Sequence, residues 1–119
     1  IDAIDRQGID IQVISINGFW WYEVKDRDLA GRIVKAQNEG LAKWVAAHPD
    51  RFLAMASTSL QFPDLAAQQL EDGVKRLGLR AAAIGGHVNF EDLSNPKYDP
   101  FWAKAAELGV IVFEHPGVA

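Results

Sequence analysis

The segment "VIVFEHPGVA" at residues 110–119 runs four apolar residues straight into a glutamate, a histidine and a proline. A short apolar run without polar alternation is typical of a strand buried on both faces of a parallel sheet. We therefore predict a strand at residues 110–113. The histidine follows this strand, at the end where parallel α/β proteins place their functional side chains.

Three earlier segments have the same apolar character and are bounded by loop residues. They are "IQVISI" at 11–16, "FLAMAS" at 52–57 and "LRAAAI" at 79–84. Buried helical segments would also be apolar, but these runs are short and lie next to glycine or proline. The sequence therefore predicts four strands, each buried on both faces.

Amphipathic helices separate the predicted strands. The first is predicted from residue 28 to about residue 47, and its apolar face consists of Leu29, Ile33, Leu41, Trp44 and Val45. The second begins at Pro63 and has Gly78 as its C-terminal cap. The third has Asp99 as its N-cap and ends at Gly109. Residues 1–8 fit the last turns of a still earlier helix that ends at Gly8.

The order strand, helix, strand with starts 30 to 40 residues apart is typical of right-handed crossover units. Such units build either a doubly wound sheet or an eightfold barrel. The segment "SINGFWWYE" after the first strand lacks the glycine-rich phosphate turn of nucleotide-binding sheets. This absence disfavours the doubly wound sheet but leaves both architectures open. The favoured prediction is an α/β fold: a partial TIM (β/α)8-type barrel with about four parallel strands and helices on the outside.

Composition excludes several functional classes. Lys and Arg number 12 against 16 Asp and Glu, so no basic surface for nucleic acid is expected. No apolar run is long enough to span a bilayer, and the acidic start does not resemble a signal peptide. The absence of cysteine fits a reducing compartment, which favours a cytoplasmic protein. At 119 residues, the chain 1–119 is predicted to be a single domain.

Polar and aromatic residues cluster directly after the predicted strands. Asn17, Phe19, Trp20 and Trp21 follow the first strand, Ser57 the second, His87 the third and His115 the fourth. His115 fits a metal ligand, or alternatively a histidine that hydrogen-bonds a neighbouring loop. His87 is a substrate-side candidate, or a residue that stabilises its own loop. The aromatic residues either line a pocket for a flat substrate or pack as a lid.

Five segments together resemble the amidohydrolase-related decarboxylases, of the aminocarboxymuconate-semialdehyde type with the resorcylate and carboxyvanillate types nearby. They are "GIDIQVISI", "AQNEGLAKWVAAHPDRF", "SLQFPDLAAQQLE", "LGLRAAAIGGHVN" and "KYDPFWAKAAELGVIVFEHP". The resemblance implies a distorted eightfold barrel that holds one divalent metal, usually zinc. It makes His115 in "FEHP" a metal ligand and places His87 in "GGHVN" near the substrate. It assigns the segment that holds Phe19, Trp20 and Trp21 to the substrate side.

The same resemblance implies non-oxidative decarboxylation of a small aromatic or muconate-like carboxylic acid. The alternatives are hydrolysis or hydration on the same scaffold, and a half-barrel without catalytic activity. The His-x-His pair of the family does not occur in this sequence. We therefore expect strands two to five of a longer barrel, an incomplete metal site, and exposed strand edges that favour a homo-oligomer.

Overall fold

A computed structural model describes residue 8, residues 12–15 and residues 20–115 of the chain. Four strands alternate with three helices. The strands are β1 (Gln12–Ile14), β2 (Phe52–Ala56), β3 (Ala81–Gly85) and β4 (Ile111–His115). The helices are α1 (Arg27–Ala47), α2 (Pro63–Lys75) and α3 (Asp99–Leu108), and a 3-10 turn (Pro96–Tyr98) precedes α3.

The four strands form one parallel sheet in the order β1-β2-β3-β4. Each strand therefore lies beside the next one along the chain, as in consecutive units of a barrel. Val13 is in register with Leu53, Met55 with Ala81, and Gly85 with His115. The predicted α/β fold with four parallel strands is confirmed, and the carboxyl ends of all four strands lie at one edge of the sheet.

One face of the sheet carries the core. Ala54 and Ala56 of β2, Ala82 and Ile84 of β3, and Phe101 and Ala105 of α3 belong to one buried cluster. Small side chains on the central strands let the helices approach the sheet closely. Gly73 of α2 illustrates this, because a Cβ atom built on it would lie 3.3 Å from the Cβ of Ala56.

The other face is covered unevenly. Ala83 and Gly85 of β3 are buried, whereas Val13 is 53% exposed, Ile111 74% and Phe113 49%. The prediction that all four strands are buried on both faces is therefore wrong for β1 and β4. These strands are the outer ones of the described sheet, so each has a neighbouring strand on one side only.

Helix α1 occupies the predicted span but buries a different face. Its buried residues are Ala30, Val34, Asn38 and Leu41, while Leu29 and Trp44 are 41% and 58% exposed. The prediction that Leu29 and Trp44 lie on the inner face is therefore wrong. The polar residue Asn38 is buried instead, because its amide bonds to the backbone beyond β2.

The predicted helix ends are correct only in part. The C-cap of α2 is Arg76, in the right-handed helical region, so the prediction that Gly78 caps this helix is wrong. The C-cap of α3 is Gly109, where the helix was predicted to end. Gly78 and Gly109 have positive φ values of 72° and 68° after α2 and α3, which glycine adopts without steric cost. Asp99, predicted as an N-cap, is the first residue of α3, and the N-cap position belongs to Tyr98 without a side-chain hydrogen bond. The preceding 3-10 turn replaces that cap, and Asn95 caps the turn by accepting from the Lys97 amide at 3.0 Å. Within the described part of the chain, no helix is long and apolar enough to cross a membrane.

Candidate functional site

The carboxyl ends of the parallel strands bring the predicted site residues to one rim. Ser57 directly follows β2, His87 lies two residues after β3, and His115 is the last residue of β4, with its backbone paired to Gly85. The prediction that Ser57, His87 and His115 share a rim is confirmed. Asn17 and Phe19, predicted with them, lie outside the described residues.

The loop after β2 is fixed from the helix layer. Asn38 of α1 donates through Nδ2 to the Ser57 carbonyl at 3.0 Å and accepts from the Ser57 amide through Oδ1 at 2.8 Å. Gln69 of α2 accepts from the Ser59 amide at 2.6 Å and donates to its hydroxyl at 3.0 Å. A side-chain amide that is hydrogen-bonded through both its oxygen and its nitrogen holds its partner in one position. The backbone directly after β2 is therefore fixed by side chains of α1 and α2.

Sequence reasoning missed Asn38. The available signal was its position four residues after Val34, on the face that carries Ala30 and Leu41. A polar residue on an apolar helix face needs a partner when it is buried. That partner is the backbone of Ser57, 19 residues away, which no helical pattern reveals.

The segment Trp20 to Tyr22 lies over the rim, as predicted. Its anchor is Tyr22, which is 5% exposed and accepts from the Gly85 amide through its hydroxyl at 3.2 Å. The rings of Trp20 and Tyr22 stack with centroids 6.2 Å apart and planes 21° apart. Burial raises the pKa of the Tyr22 hydroxyl well above its usual range. The aromatic segment is thus attached directly to the tip of β3.

Two amide side chains tie the same segment to the neighbouring loops. Gln61, after β2, donates through Nε2 to the carbonyls of Trp21 and Val24 at 2.9 and 3.1 Å. Asn89, after β3, donates to the Tyr22 carbonyl at 2.8 Å. Trp21 has a positive φ of 60°, an unusual conformation for a bulky residue. Contacts from two separate loops stabilise this conformation, and sequence reasoning named neither Gln61 nor Asn89 as a clamp.

His87 directly precedes a tight turn at residues 88–91. Val88 and Glu91 pair through both backbone bonds, and the residues between them, Asn89 and Phe90, have φ values of 48° and 67°. Two positive φ values are what a type I′ hairpin turn requires. The Phe90 amide donates to His87 Nδ1 at 3.1 Å, and the two rings stack 5.2 Å apart. An amide donor requires an unprotonated Nδ1, so a neutral His87 carries its proton on Nε2.

A polar cavity of about 200 Å³ adjoins this turn. Its lining consists of Gln61, Val88, Asn89, Glu91, Lys97 and Tyr98. Glu91 accepts from the Tyr98 hydroxyl at 2.6 Å and forms an ion pair with Lys97. Lys97 first, and then Tyr98, lower the pKa of the Glu91 carboxyl. The charged groups of this cavity therefore bind one another and stabilise the loop after β3.

The rim does not by itself complete a metal site. Within the described ranges, no group of three or more His, Asp or Glu side chains is placed to hold a metal ion. Catalytic zinc sites typically use three protein ligands and a water molecule.

Comparison with known proteins agrees with this geometry. Gamma-resorcylate decarboxylase of Rhizobium radiobacter is 35% identical over 122 residues, which cover 98% of this chain and 37% of that protein. The 2-amino-3-carboxymuconate-6-semialdehyde decarboxylase of Dictyostelium discoideum is 32% identical, with 98% and 32% covered. The chain thus spans about a third of the length of these curated relatives.

A solved structure provides a three-dimensional counterpart. The dihydroxybenzoic acid decarboxylase of Polaromonas, crystallised with manganese and the inhibitor 2-nitroresorcinol, matches with a TM-score of 0.88 and 30% identity. The match covers 99% of this chain and 37% of that one. The four parallel strands thus superimpose on part of a larger α/β enzyme.

The repeated strand–helix units and the polar rim at the carboxyl ends of the strands define part of a (β/α)-barrel fold. A sequence profile described as amidohydrolase matches residues 17–119. The chain belongs to the amidohydrolase family, as the resemblance in its sequence implied.

Proposed function

We propose that this chain forms strands two to five of the barrel of a metal-dependent, non-oxidative decarboxylase. Its substrate is a small aromatic or muconate-like carboxylic acid. The observation that carries the proposal is the rim itself, where the backbone of His115 pairs with Gly85 beneath the aromatic segment. The decarboxylase names of the two relatives support it.

The proposed reaction exchanges a carboxylate for a proton. A proton adds to the ring carbon that bears the carboxylate, the bond from this carbon to the carboxyl carbon breaks, and its electron pair returns to the ring. Carbon dioxide leaves, and no oxidant is needed. His87, Asn17, Phe19, Trp20 and Trp21 are proposed to bind the substrate, and His115 to be a metal ligand.

The metal is part of the proposal for the whole protein. Zinc is the ion that the sequence resemblance implies, whereas the Polaromonas structure holds manganese. A divalent ion lowers the energy of developing charge on substrate oxygens. Because the described rim lacks a complete ligand set, the remaining ligands are proposed to come from other parts of the barrel. A homo-oligomer and a cytoplasmic location complete the proposal.

The test uses the full-length protein loaded in turn with zinc and manganese. We expect carbon dioxide release from 2,6-dihydroxybenzoate or from an aminocarboxymuconate semialdehyde, with the decarboxylated compound as the product. Ring-opened or hydrated products without carbon dioxide would instead support the hydrolase alternative. If neither substrate class is turned over with either metal, the proposal is contradicted.

A pair of histidine variants tests the site. His115→Ala should lower metal affinity and turnover by at least about tenfold, because the loss of a ligand costs no less than the loss of a group that only orients one. His48→Ala is the matched control, because His48 lies at the end of α1 and packs edge-on against Phe52 with centroids 5.9 Å apart. Equal metal content in the two variants would show that His115 is not a metal ligand.

A further inference from the structure

We propose that Gly85 is a specificity-determining residue. The absence of a side chain at this position lets Trp20 and Tyr22 pack onto the tip of β3. There the partly buried indole of Trp20, supported by the buried ring of Tyr22, forms a flat wall for a planar, conjugated carboxylic acid. The identity of the ligand class rests on the proposed function. The packing of Trp20 and Tyr22 on Gly85, called the Gly85 contact below, rests on the geometry of these three residues.

The steric evidence is direct. A Cβ atom built on Gly85 would lie 3.1 Å from Cδ1 and 3.2 Å from Nε1 of Trp20, and 3.3 Å from Cε2 of Tyr22. These separations are shorter than ordinary van der Waals contacts between carbon atoms, which are about 3.5–4.0 Å. Any side chain at Gly85 would therefore displace the two rings or the strand.

The strand cannot give way easily. Gly85 is buried, pairs with His115 of β4, and donates its amide to the Tyr22 hydroxyl at 3.2 Å. Moving its backbone would break these contacts together. The displacement must therefore fall on the ring of Trp20, which is only partly buried.

The aromatic segment cannot slide away as a whole either. Gln61 holds the carbonyls of Trp21 and Val24, and Asn89 holds the carbonyl of Tyr22. Because the backbone that follows Trp20 is held at these three carbonyls, we infer that a clash at Gly85 is relieved by rotation of the indole. The orientation of the indole is thus set by the missing side chain.

The wall stands beside the proposed metal ligand. Neighbouring strands lie about 4.8 Å apart, and His115 is the register partner of Gly85. A carboxylic acid held at the tip of β4 therefore lies within reach of the Trp20 ring. A flat, rigid ring attracts another flat π-system more than a flexible chain of equal size. This selects planar, conjugated acids over saturated ones.

The experiment is a double-mutant cycle in the full-length, metal-loaded protein, with 2-nitroresorcinol as the binding probe. We expect Gly85→Ala to weaken probe binding about tenfold, within the range of a lost aromatic contact. Trp20→Ala should weaken binding by a similar factor. In the Trp20→Ala background, Gly85→Ala should add less than about twofold, because the ring that it displaces is already gone.

Gly40→Ala is the matched control. Gly40 lies on α1, and a Cβ atom built there meets nothing within 4 Å, so probe binding should stay unchanged. In kinetic assays, Gly85→Ala should raise KM with little change in kcat, because the wall contacts substrate and transition state alike. Additive losses in the cycle, unchanged binding by Gly85→Ala, or no probe binding by the wild-type protein would each overturn the proposal.

The two proposals fail separately. If no carboxylic acid is decarboxylated but the cycle shows coupling between Gly85 and Trp20, the decarboxylase function is wrong and the Gly85 contact is supported. If decarboxylation occurs and the two substitutions are additive, the function is supported and the role of the Gly85 contact is wrong.

Discussion

Tyr22 joins the aromatic segment to the sheet through a single hydroxyl group. The hydroxyl accepts from the Gly85 amide, while the ring is buried beside Trp20. Tyr22 therefore satisfies a buried amide, packs in the core and attaches the aromatic segment to the tip of β3.

Because burial raises the pKa of Tyr22, the folded chain keeps this hydroxyl protonated where the unfolded chain ionises it. The stabilisation is fully present below the ordinary tyrosine pKa of about 10 and is lost as pH rises above it. We expect the free energy of unfolding, measured with urea between pH 9 and pH 11.5, to fall steadily.

Tyr22→Phe is the control for this pH dependence. The variant should lose about 1–3 kcal/mol at neutral pH, because the Gly85 amide loses its acceptor. Its stability should also decline less steeply above pH 10. Parallel curves for the two proteins would assign the decline to other groups, including Tyr98, whose pKa is raised by burial and by Glu91.

His87 offers a spectroscopic prediction. The Phe90 amide donates to Nδ1, so the neutral ring should be the Nε2–H tautomer. We expect long-range ¹⁵N–¹H spectra of the protein at pH 8 to show the pattern of this tautomer for His87. His48, which serves as an internal comparison, makes an edge-on contact with Phe52. A dominant Nδ1–H form of His87 would contradict the hydrogen bond.

At the scale of elements, glycine decides how closely α2 approaches the sheet. Gly73 faces Ala56 and Leu79, and a Cβ atom built on it would lie 3.3 Å from side-chain atoms of both. Gly40, in the middle of α1, is exposed with open space around it. Gly40 and Gly73 therefore differ in what an added side chain would meet.

This difference predicts opposite outcomes for the same substitution. Gly40→Ala should stabilise the protein by about 0.5–1 kcal/mol, because alanine is the better helix former and nothing obstructs it. Gly73→Ala should destabilise it by about 1–3 kcal/mol, because the added methyl overpacks a contact between a helix and a strand. Thermal and urea unfolding of both variants measure the effects, and equal gains would show that α2 can move outward.

At the scale of the whole molecule, helices cover one face of the sheet, and the other face is partly exposed. Helices cover the side of Ala54, Ala82 and Ile84, whereas Val13, Ile111 and Phe113 remain exposed on the opposite side. Exposed apolar strands at a sheet edge are templates for pairing with another chain. The oligomeric state thus remains a prediction that the exposed strands motivate.

We expect the 119-residue chain to self-associate in sedimentation velocity experiments at micromolar concentration. Ile111→Lys should shift the distribution toward monomer without unfolding the chain, because Ile111 is already 74% exposed. Leu29→Lys is the matched control, because Leu29 is 41% exposed on α1, away from the strand edges, and it should leave the distribution unchanged. A wild-type monomer throughout this range would refute self-association.

Short apolar runs, helix caps and the order of elements determined the parallel α/β fold, because these signals are local and each is written in consecutive residues. The same logic placed His87 and His115 at one rim, since parallel strands share the direction of their carboxyl ends. The roles of these histidines, of Asn17 and of the aromatic residues remain predictions.

Only the tertiary structure decided which faces are buried and how the rim is held. Asn38 reaches Ser57, Gln61 reaches Trp21, and Tyr22 reaches Gly85 across 19, 40 and 63 residues. Periodicity identified an apolar stripe that includes Leu29 and Trp44, but burial follows the partner that each side chain meets. A glycine likewise gives no sign in sequence of the ring that packs onto it. These features depend on distances between distant segments, which exist only once the chain has folded.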